Sequence, residues 1–404
     1  MQKKMVLPYG FFVAGAHCGI TKSKNKNDIA LFLSAVPARG AGVFTSNCIK
    51  AAPVIVSQKK LINKNEFRAI IANSGCANAC TGKSGIETAN EMCDSLAKEF
   101  GLGNDQVLVA STGVIGKALP IEKVKDGVAM LAKLADSGKC SPIGAANAIM
   151  TTDTRQKISS CNIKINGKNV RIWACAKGAG MIAPDLKGLH ATMLSFILTD
   201  ALISSKELQG VLERCVEKTF NCVTVDGDTS TNDTVLLLAN GMADNEEITG
   251  GKELVVFEKA LNSICLDLAK MIASDGEGAT KLAEVKVEGA KTYSDAKKVA
   301  STIATSPLVK TALFGNDANW GRVIAAAGRA GVKLDENKIK IHIGKVLVAK
   351  NGSEINFSEA AAKKELIGKE VKITIGLGLG KQSATYYTCD FSFGYIKVNA
   401  SYRS

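Results

Sequence analysis

Aromatic residues make up only 5% of this chain, and its histidines number three: His17, His190 and His342. The scarcity of aromatics, with no basic run interleaved with them, argues against a nucleic-acid-binding surface. None of the histidines stands in a recognisable Ser-His or Cys-His setting, which disfavours histidine-based nucleophilic catalysis. No apolar stretch approaches the length of a membrane helix. The first residues, Met1-Gln2-Lys3-Lys4-Met5-Val6-Leu7-Pro8, lack the apolar run of a signal peptide. A cytoplasmic location is the expectation. No Pro/Gly/Ser-rich linker marks a domain boundary.

What is present is an ordinary globular composition: 404 residues, 46% hydrophobic and 22% charged. That is enough chain for two domains or one large one, with a sizeable core. The net charge is +13, but the lysines are spread along the chain. They read as a solvated basic surface that could also attract small anionic substrates. Twelve cysteines in such a chain suggest free thiols in a reducing compartment, most of them small core residues. Cys76 and Cys80 are spaced C-x3-C without a second pair, so no metal site is expected.

Short β-rich runs occur at 53–56, 68–72, 106–110, 222–225, 234–238 and 341–348, with a long one at 385–398. Between them lie helical signals. Ser84 and Glu87 fit a capping box, as do Ser204 and Glu207. Pro120 stands where a proline at the first helical position would. Residues 254–272 are apolar-periodic, and Asn319 opens an alanine-rich helix ending near Gly331. Several strands follow one another without a helix between them, which predicts mixed α/β with antiparallel sheets.

The segment Lys177-Gly178-Ala179-Gly180-Met181-Ile182-Ala183-Pro184, followed by Ala191-Thr192-Met193-Leu194, carries the chemistry. A small residue before a threonine, near a glycine-rich turn, can be cut by its own neighbour. Thr192 Oγ would attack the carbonyl carbon of Ala191 in an N-to-O acyl shift, and water would release the fragments. The freed α-amine, with a reference pKa of about 7.7–8.0, could then act as base for the Thr192 hydroxyl. Taken alone, Thr192 reads as a buried threonine in an apolar run; the preceding glycine-rich segment favours the nucleophile.

Other polar clusters have a bland and a functional reading side by side. Lys177 is either a surface lysine before a turn or a holder of a carboxylate. Thr112-Gly113 is either a strand-to-helix turn or a hydroxyl and an N–H for a developing oxyanion. Thr151-Thr152-Asp153-Thr154 reads as a helix end and a turn. The 226–234 segment, Asp-Gly-Asp-Thr-Ser-Thr-Asn-Asp-Thr, is rich in oxygen ligands but lacks EF-hand spacing, and a hydrogen-bonded turn is the better fit. Glu277, between two glycines, could take a cationic amine. Gly376-Leu377-Gly378-Leu379-Gly380-Lys381 fails as a phosphate loop, because Ile375 stands where glycine is needed and Gln382 replaces Ser/Thr.

These motifs, in order along nearly the whole chain, resemble the ornithine acetyltransferase (glutamate N-acetyltransferase) family. Asn73-Ser74-Gly75-Cys76-Ala77-Asn78-Ala79-Cys80-Thr81-Gly82 and Phe314-Gly315-Asn316-Asp317-Ala318-Asn319-Trp320-Gly321-Arg322 add to the match. One departure stands out: residues 185–190 form a longer spacer before Ala191 than the family usually has. The resemblance implies a layered mixed α/β fold, self-cleaved at Ala191-Thr192 into an α chain (1–191) and a β chain (192–404) that assemble as a heterotetramer. It implies acetyl transfer from N2-acetylornithine to L-glutamate in arginine biosynthesis, by a ping-pong mechanism with acetylated Thr192 and without metal or organic cofactor. Thr112 and Gly113 would form the oxyanion hole. Thr151, Lys177, Thr192, Glu277, Asn399 and Ser404 would bind substrate. Some members also take acetyl-CoA as donor. Two competitors are an N-terminal-nucleophile aminopeptidase, with water as acceptor, and an uncleaved binding protein.

Overall fold

A computed structural model describes residues 6–23, 25–184 and 193–401. Ala191, Thr192 and Ser404 therefore lie outside the described residues.

The first sheet has eight strands. Its path runs Val107–Ser111, Glu66–Asn73, Ile29–Phe44, Thr234–Ala239, Leu194–Thr199, Lys168–Lys177, Lys157–Ile165, with Phe11–Ala16 paired onto the start of Ile29–Phe44. The long strand Ile29–Phe44 belongs to both halves. Residues 29–34 pair with Phe11–Ala16, residues 39–44 pair with Thr234–Ala239, and its register slips between Leu33 and Ala38. The halves face each other: the Phe32 ring lies 4.6 Å from Phe196 and 6.3 Å from Trp173.

Alternation within the strands then explains the layers. Phe32, Ile70, Leu108, Trp173, Phe196 and Leu236 point into the space between the halves. Their neighbours Leu31, Ile71 and Val109 pack outward against the helices Gly82–Glu99 and Ile121–Asp136. Ile172, Ala174, Ile197 and Leu237 pack outward on the other side, against Ser205–Lys218 and Gly251–Ser274. The result is helix, sheet, sheet, helix. Strands buried on both faces must be apolar throughout, as Leu194–Thr199 is in every position but its polar Ser195 and Thr199.

A second sheet of six strands follows. Near one edge, Leu282–Ala290 runs parallel to Glu370–Gly376 and antiparallel to the edge strand Gln382–Cys389. The helices Tyr293–Ala304, Pro307–Gly315, Trp320–Gly328 and Glu359–Leu366 cover it. Tyr387 and Cys389, at the end of its last strand, belong to the core of the first unit and join the two.

The layered α/β architecture is thus as expected, with local departures. The sheets are mixed, because Glu66–Asn73 with Val107–Ser111 and Leu194–Thr199 with Thr234–Ala239 are parallel pairs. The 53–56 run lies in a helix, Ala52–Asn63, whose first turn holds Pro53. Residues 222–225 are a short 3-10 turn and a single bridge. The 385–398 run is a strand only to Cys389; Asp390 then turns the chain into the helix Phe393–Ser401. The helix assigned to a Ser84 cap begins already at Gly82, and Ser84 Oγ donates to Thr81 O. Pro120 precedes its helix, at the cap position. Ser204 caps its helix as expected, accepting from Glu207 N, and Asn319 does the same for Arg322 N, though that helix ends at Gly328.

Candidate active site

A cavity of about 200 Å³ opens where the two halves of the first sheet end beside the Glu277 loop. Thr112, Gly113, Thr151, Lys177, Glu277 and Asn399 all line it, and so does Met193, the residue that follows Thr192.

Each wall has a local cause. Thr112 and Gly113 follow the strand Val107–Ser111 and are sewn to the 73–77 loop: Thr112 N donates to Asn73 O (2.9 Å) and Ala77 N to Val114 O (3.0 Å). Gly113 adopts φ 129°, and a β-carbon there would lie 2.6 Å from Cys76 N, so only glycine fits. Its N–H meets no acceptor among the described residues. Asn232 fixes the same loops from below, donating to Ala77 O and Ser111 O. Thr112 Oγ1 accepts from Lys177 Nζ (3.1 Å), which leaves the hydroxyl proton to point elsewhere.

Lys177 is no surface lysine: it is 8% exposed. Burial pushes its ammonium below the ordinary lysine range, and the nearby carboxylates of Asp153 and Asp233 resist that shift. Behind it, Asp153 accepts from Gly178 N (2.7 Å), Thr151 N (2.9 Å) and Lys157 Nζ (2.6 Å). Burial alone would raise the Asp153 pKa, but Lys157 and Lys177 outweigh it and hold the carboxyl down to about 2. The fully buried Lys157 reaches Asp275 as well (2.5 Å). Thr151 is held from the other side by Lys26, whose Nζ donates to Thr151 O (2.7 Å).

The glycine-rich segment is shaped by the acidic 226–234 stretch. Asp226 accepts from Met181 N (2.6 Å) and Ile182 N (2.7 Å), and Thr229 Oγ1 donates to Ala183 O (2.9 Å). That stretch is a bent loop held by side-chain hydrogen bonds, with Thr224 Oγ1 accepting from Gly227 N (3.1 Å) and Ser230 Oγ from Asn232 N (3.2 Å), where a hydrogen-bonded turn between two strands was expected. Glu277 N donates to Ala179 O (2.8 Å), and its Oε2 accepts from Asn399 Nδ2 (2.9 Å). The helix carrying Asn399 is anchored by Ser392 Oγ, which donates to Gly278 O (2.5 Å).

The ArgJ family model matches residues 12–404. This chain belongs to the ArgJ family. It is 46% identical over 400 residues to the arginine biosynthesis bifunctional protein ArgJ of Symbiobacterium thermophilum, covering 98% of each chain. Against the ArgJ of Caldanaerobacter subterraneus subsp. tengcongensis it is 45% identical over 406 residues, covering 99% of this chain and 98% of the relative. The crystal structure of the ArgJ from Bacillus halodurans matches with a TM-score of 0.51 at 46% identity, over 52% of this chain and 100% of that one.

Within this ArgJ-type site, Thr112, Gly113, Thr151, Lys177, Glu277 and Asn399 are legible in the sequence as candidates, while Asp233 and the supporting residues are not. Asp153 lay in a quoted motif without a role. Lys26 pairs with Thr151 across 125 positions and Lys157 with Asp275 across 118, distances that no local motif spans; the Asp153 partner of Lys157 stands four positions away. Asp233, 3% exposed and lining the cavity, was visible only as one more oxygen in an oxygen-rich run.

Proposed function

We propose that this chain transfers acetyl from N2-acetylornithine to L-glutamate, releasing ornithine and N-acetylglutamate, and so serves arginine biosynthesis. The observation that carries this reading is the convergence of Thr112, Gly113, Thr151, Lys177, Glu277 and Asn399 on the one cavity that Met193 lines. Self-cleavage between Ala191 and Thr192 would give fragments 1–191 and 192–404, with the freed amine of Thr192 as base for its hydroxyl. A solved relative that matches over its whole length and spans 52% of this chain supports such a division.

In the first half-reaction Thr192 Oγ attacks the acetyl carbonyl carbon. The oxyanion draws on the Thr112 hydroxyl and the Gly113 N–H. The C–N bond breaks, ornithine leaves with the proton, and the acetyl group remains as an ester on Thr192. The amine of glutamate then attacks that ester, the bond from the acetyl carbon to Thr192 Oγ breaks, N-acetylglutamate leaves, and the proton lost by the amine returns to Thr192 Oγ through the α-amine. Lys177 suits the substrate carboxylate, and Glu277 with Asn399 suits the side-chain ammonium of ornithine, with Thr151 and Ser404 completing the substrate contacts. No step calls for a metal or organic cofactor. The fragments are expected to pair as a heterotetramer in the cytoplasm.

The relatives' name, bifunctional, favours a second activity, acetylation of glutamate from acetyl-CoA. Intact mass and N-terminal sequencing test the cleavage: two fragments are expected, the second beginning at Thr192, and Thr192→Ala should stay whole and inactive. Cutting at the same bond in Thr192→Ala overturns the mechanism. Labelled acetylornithine should leave acetyl on the second fragment, and replacing it with labelled acetyl-CoA tests the second donor.

A further inference from the structure

Among the described carboxyls that line the cavity, Asp233 is the buried one that the acetyl-transfer reading leaves without a task. It is 3% exposed; Thr45 and Ser230 donate to its carboxyl group, while its Oδ2 has no hydrogen-bond partner among the described residues. A buried carboxyl oxygen left unpaired is costly, and where it faces a cavity it is a site awaiting a donor. Its backbone is pinned on both sides: Thr45 N donates to Asp233 O (3.0 Å), and Thr234 N donates to Met193 O (2.6 Å). The side chain is therefore fixed at the cavity wall beside Met193, where the acyl chemistry is expected.

Lys177 lines the same cavity and spends its described hydrogen bond on Thr112 Oγ1, not on Asp233. A buried cation and a buried carboxyl thus share one cavity while remaining unpaired with each other. The head of an α-amino acid has the matching polarity, a carboxylate beside a nitrogen that bears N–H. Resting on the acetyl-transfer reading, we infer that Asp233 receives the α-nitrogen N–H of the amino-acid substrate while Lys177 receives its α-carboxylate. Asp233 would then be a specificity residue for the nitrogen that gains and loses the acetyl group, and Glu277 would serve the far end of ornithine. Burial holds the Asp233 carboxyl well above the usual carboxylate range, and Lys177 opposes that. A cationic nitrogen arriving at Oδ2 supplies the donor that this oxygen lacks.

The test compares L-ornithine with 5-aminopentanoate, the same molecule without its α-amino group, by calorimetric binding to the wild-type enzyme and to Asp233→Asn. The wild type should prefer ornithine by about tenfold or more, the worth of a hydrogen bond to a charged group. In Asp233→Asn that preference should shrink to about twofold or less, with 5-aminopentanoate binding little changed. A variant that weakens both ligands equally, or that keeps the preference, overturns the inference. Should the variant not fold, infrared difference spectra of the wild type replace it. Ornithine should remove a protonated-carboxyl band that 5-aminopentanoate leaves in place, and an unchanged band counts against Asp233. If glutamate-dependent transfer is absent and the wild type binds neither compound, the acetyl-transfer reading itself fails. Transfer with an unchanged preference removes only the role of Asp233.

Discussion

Gly180 faces Glu277 so closely that a β-carbon on Gly180 would lie 2.5 Å from the Glu277 carboxylate. The clash falls on a side chain that already accepts from Asn399 and whose N–H is fixed to Ala179. Gly180→Ala should therefore displace the carboxylate while the backbone stays as it is. The KM for N2-acetylornithine is expected to rise about tenfold or more, matching the loss of one charged hydrogen bond. Glu277→Gln should produce a similar change. Steady-state kinetics decide the matter, and unaltered KM values in both variants would remove Glu277 from substrate binding.

Thr112 supports a different expectation because its hydroxyl accepts from Lys177 while its N–H is spent on Asn73. Thr112→Val keeps the shape and deletes the hydroxyl proton proposed to serve the oxyanion. Removing one such donor costs roughly 10²–10³ in turnover. The loss should fall on kcat, with KM within a few-fold, since the oxyanion exists only in the transition state. A variant that keeps its kcat sinks the oxyanion assignment.

Much of this was legible in the sequence, and the reason is local chemistry. The layered fold follows from strands apolar in nearly every position, such as 234–238, and from caps such as Ser204. Gly113 at φ 129° and Gly178 at φ 150° adopt backbone conformations that favour glycine, so these turns announce themselves, whereas Thr151 and Asn399 stand in segments without glycine beside them. What stayed hidden depends on distance along the chain. The β-branched run at 53–56 looks extended until Ser57 Oγ donates to Val109 O and fixes a helix against the neighbouring strand. The run at 385–398 stops being a strand because Asp390 turns to accept from Thr280 N and Lys281 N. The buried Lys157 reads as a solvated lysine until two carboxylates from different motifs close on it.

That buried Lys157 leads to a prediction about stability. Lys157→Met leaves Asp153 and Asp275 without their shared cation, a change worth about 3–5 kcal/mol. Measured by urea denaturation in the Thr192→Ala background, where a single chain is expected, the midpoint should fall accordingly. The acid limb carries the same information. The Asp153 carboxyl titrates at about 2 in the fold against an ordinary 3.8. A depressed pKa contributes stability above the unfolded value, here roughly 2 kcal/mol. It is lost as pH falls through the folded value, between about pH 5 and pH 2. With Lys157 gone, acid unfolding should begin at higher pH. An acid limb identical to that of the parent would show that the cation does not hold Asp153 down.

Asp233 should behave in the opposite sense. Burial raises its pKa in the fold, with Lys177 only partly offsetting this, so the folded protein holds a proton that the unfolded chain releases above about pH 4. Such a group opposes folding, and the opposition grows as pH rises from the unfolded value towards the folded one. Asp233→Asn keeps the shape and removes the titration. It is expected to melt at higher temperature than the parent at pH 7, with the advantage shrinking towards pH 4 as both chains become neutral at this position. Gaining stability while losing α-amino discrimination is the trade expected where a site is kept strained for function. Thermal melts at several pH values provide the check: a difference that stays constant with pH would mean that Asp233 does not hold its proton in the fold.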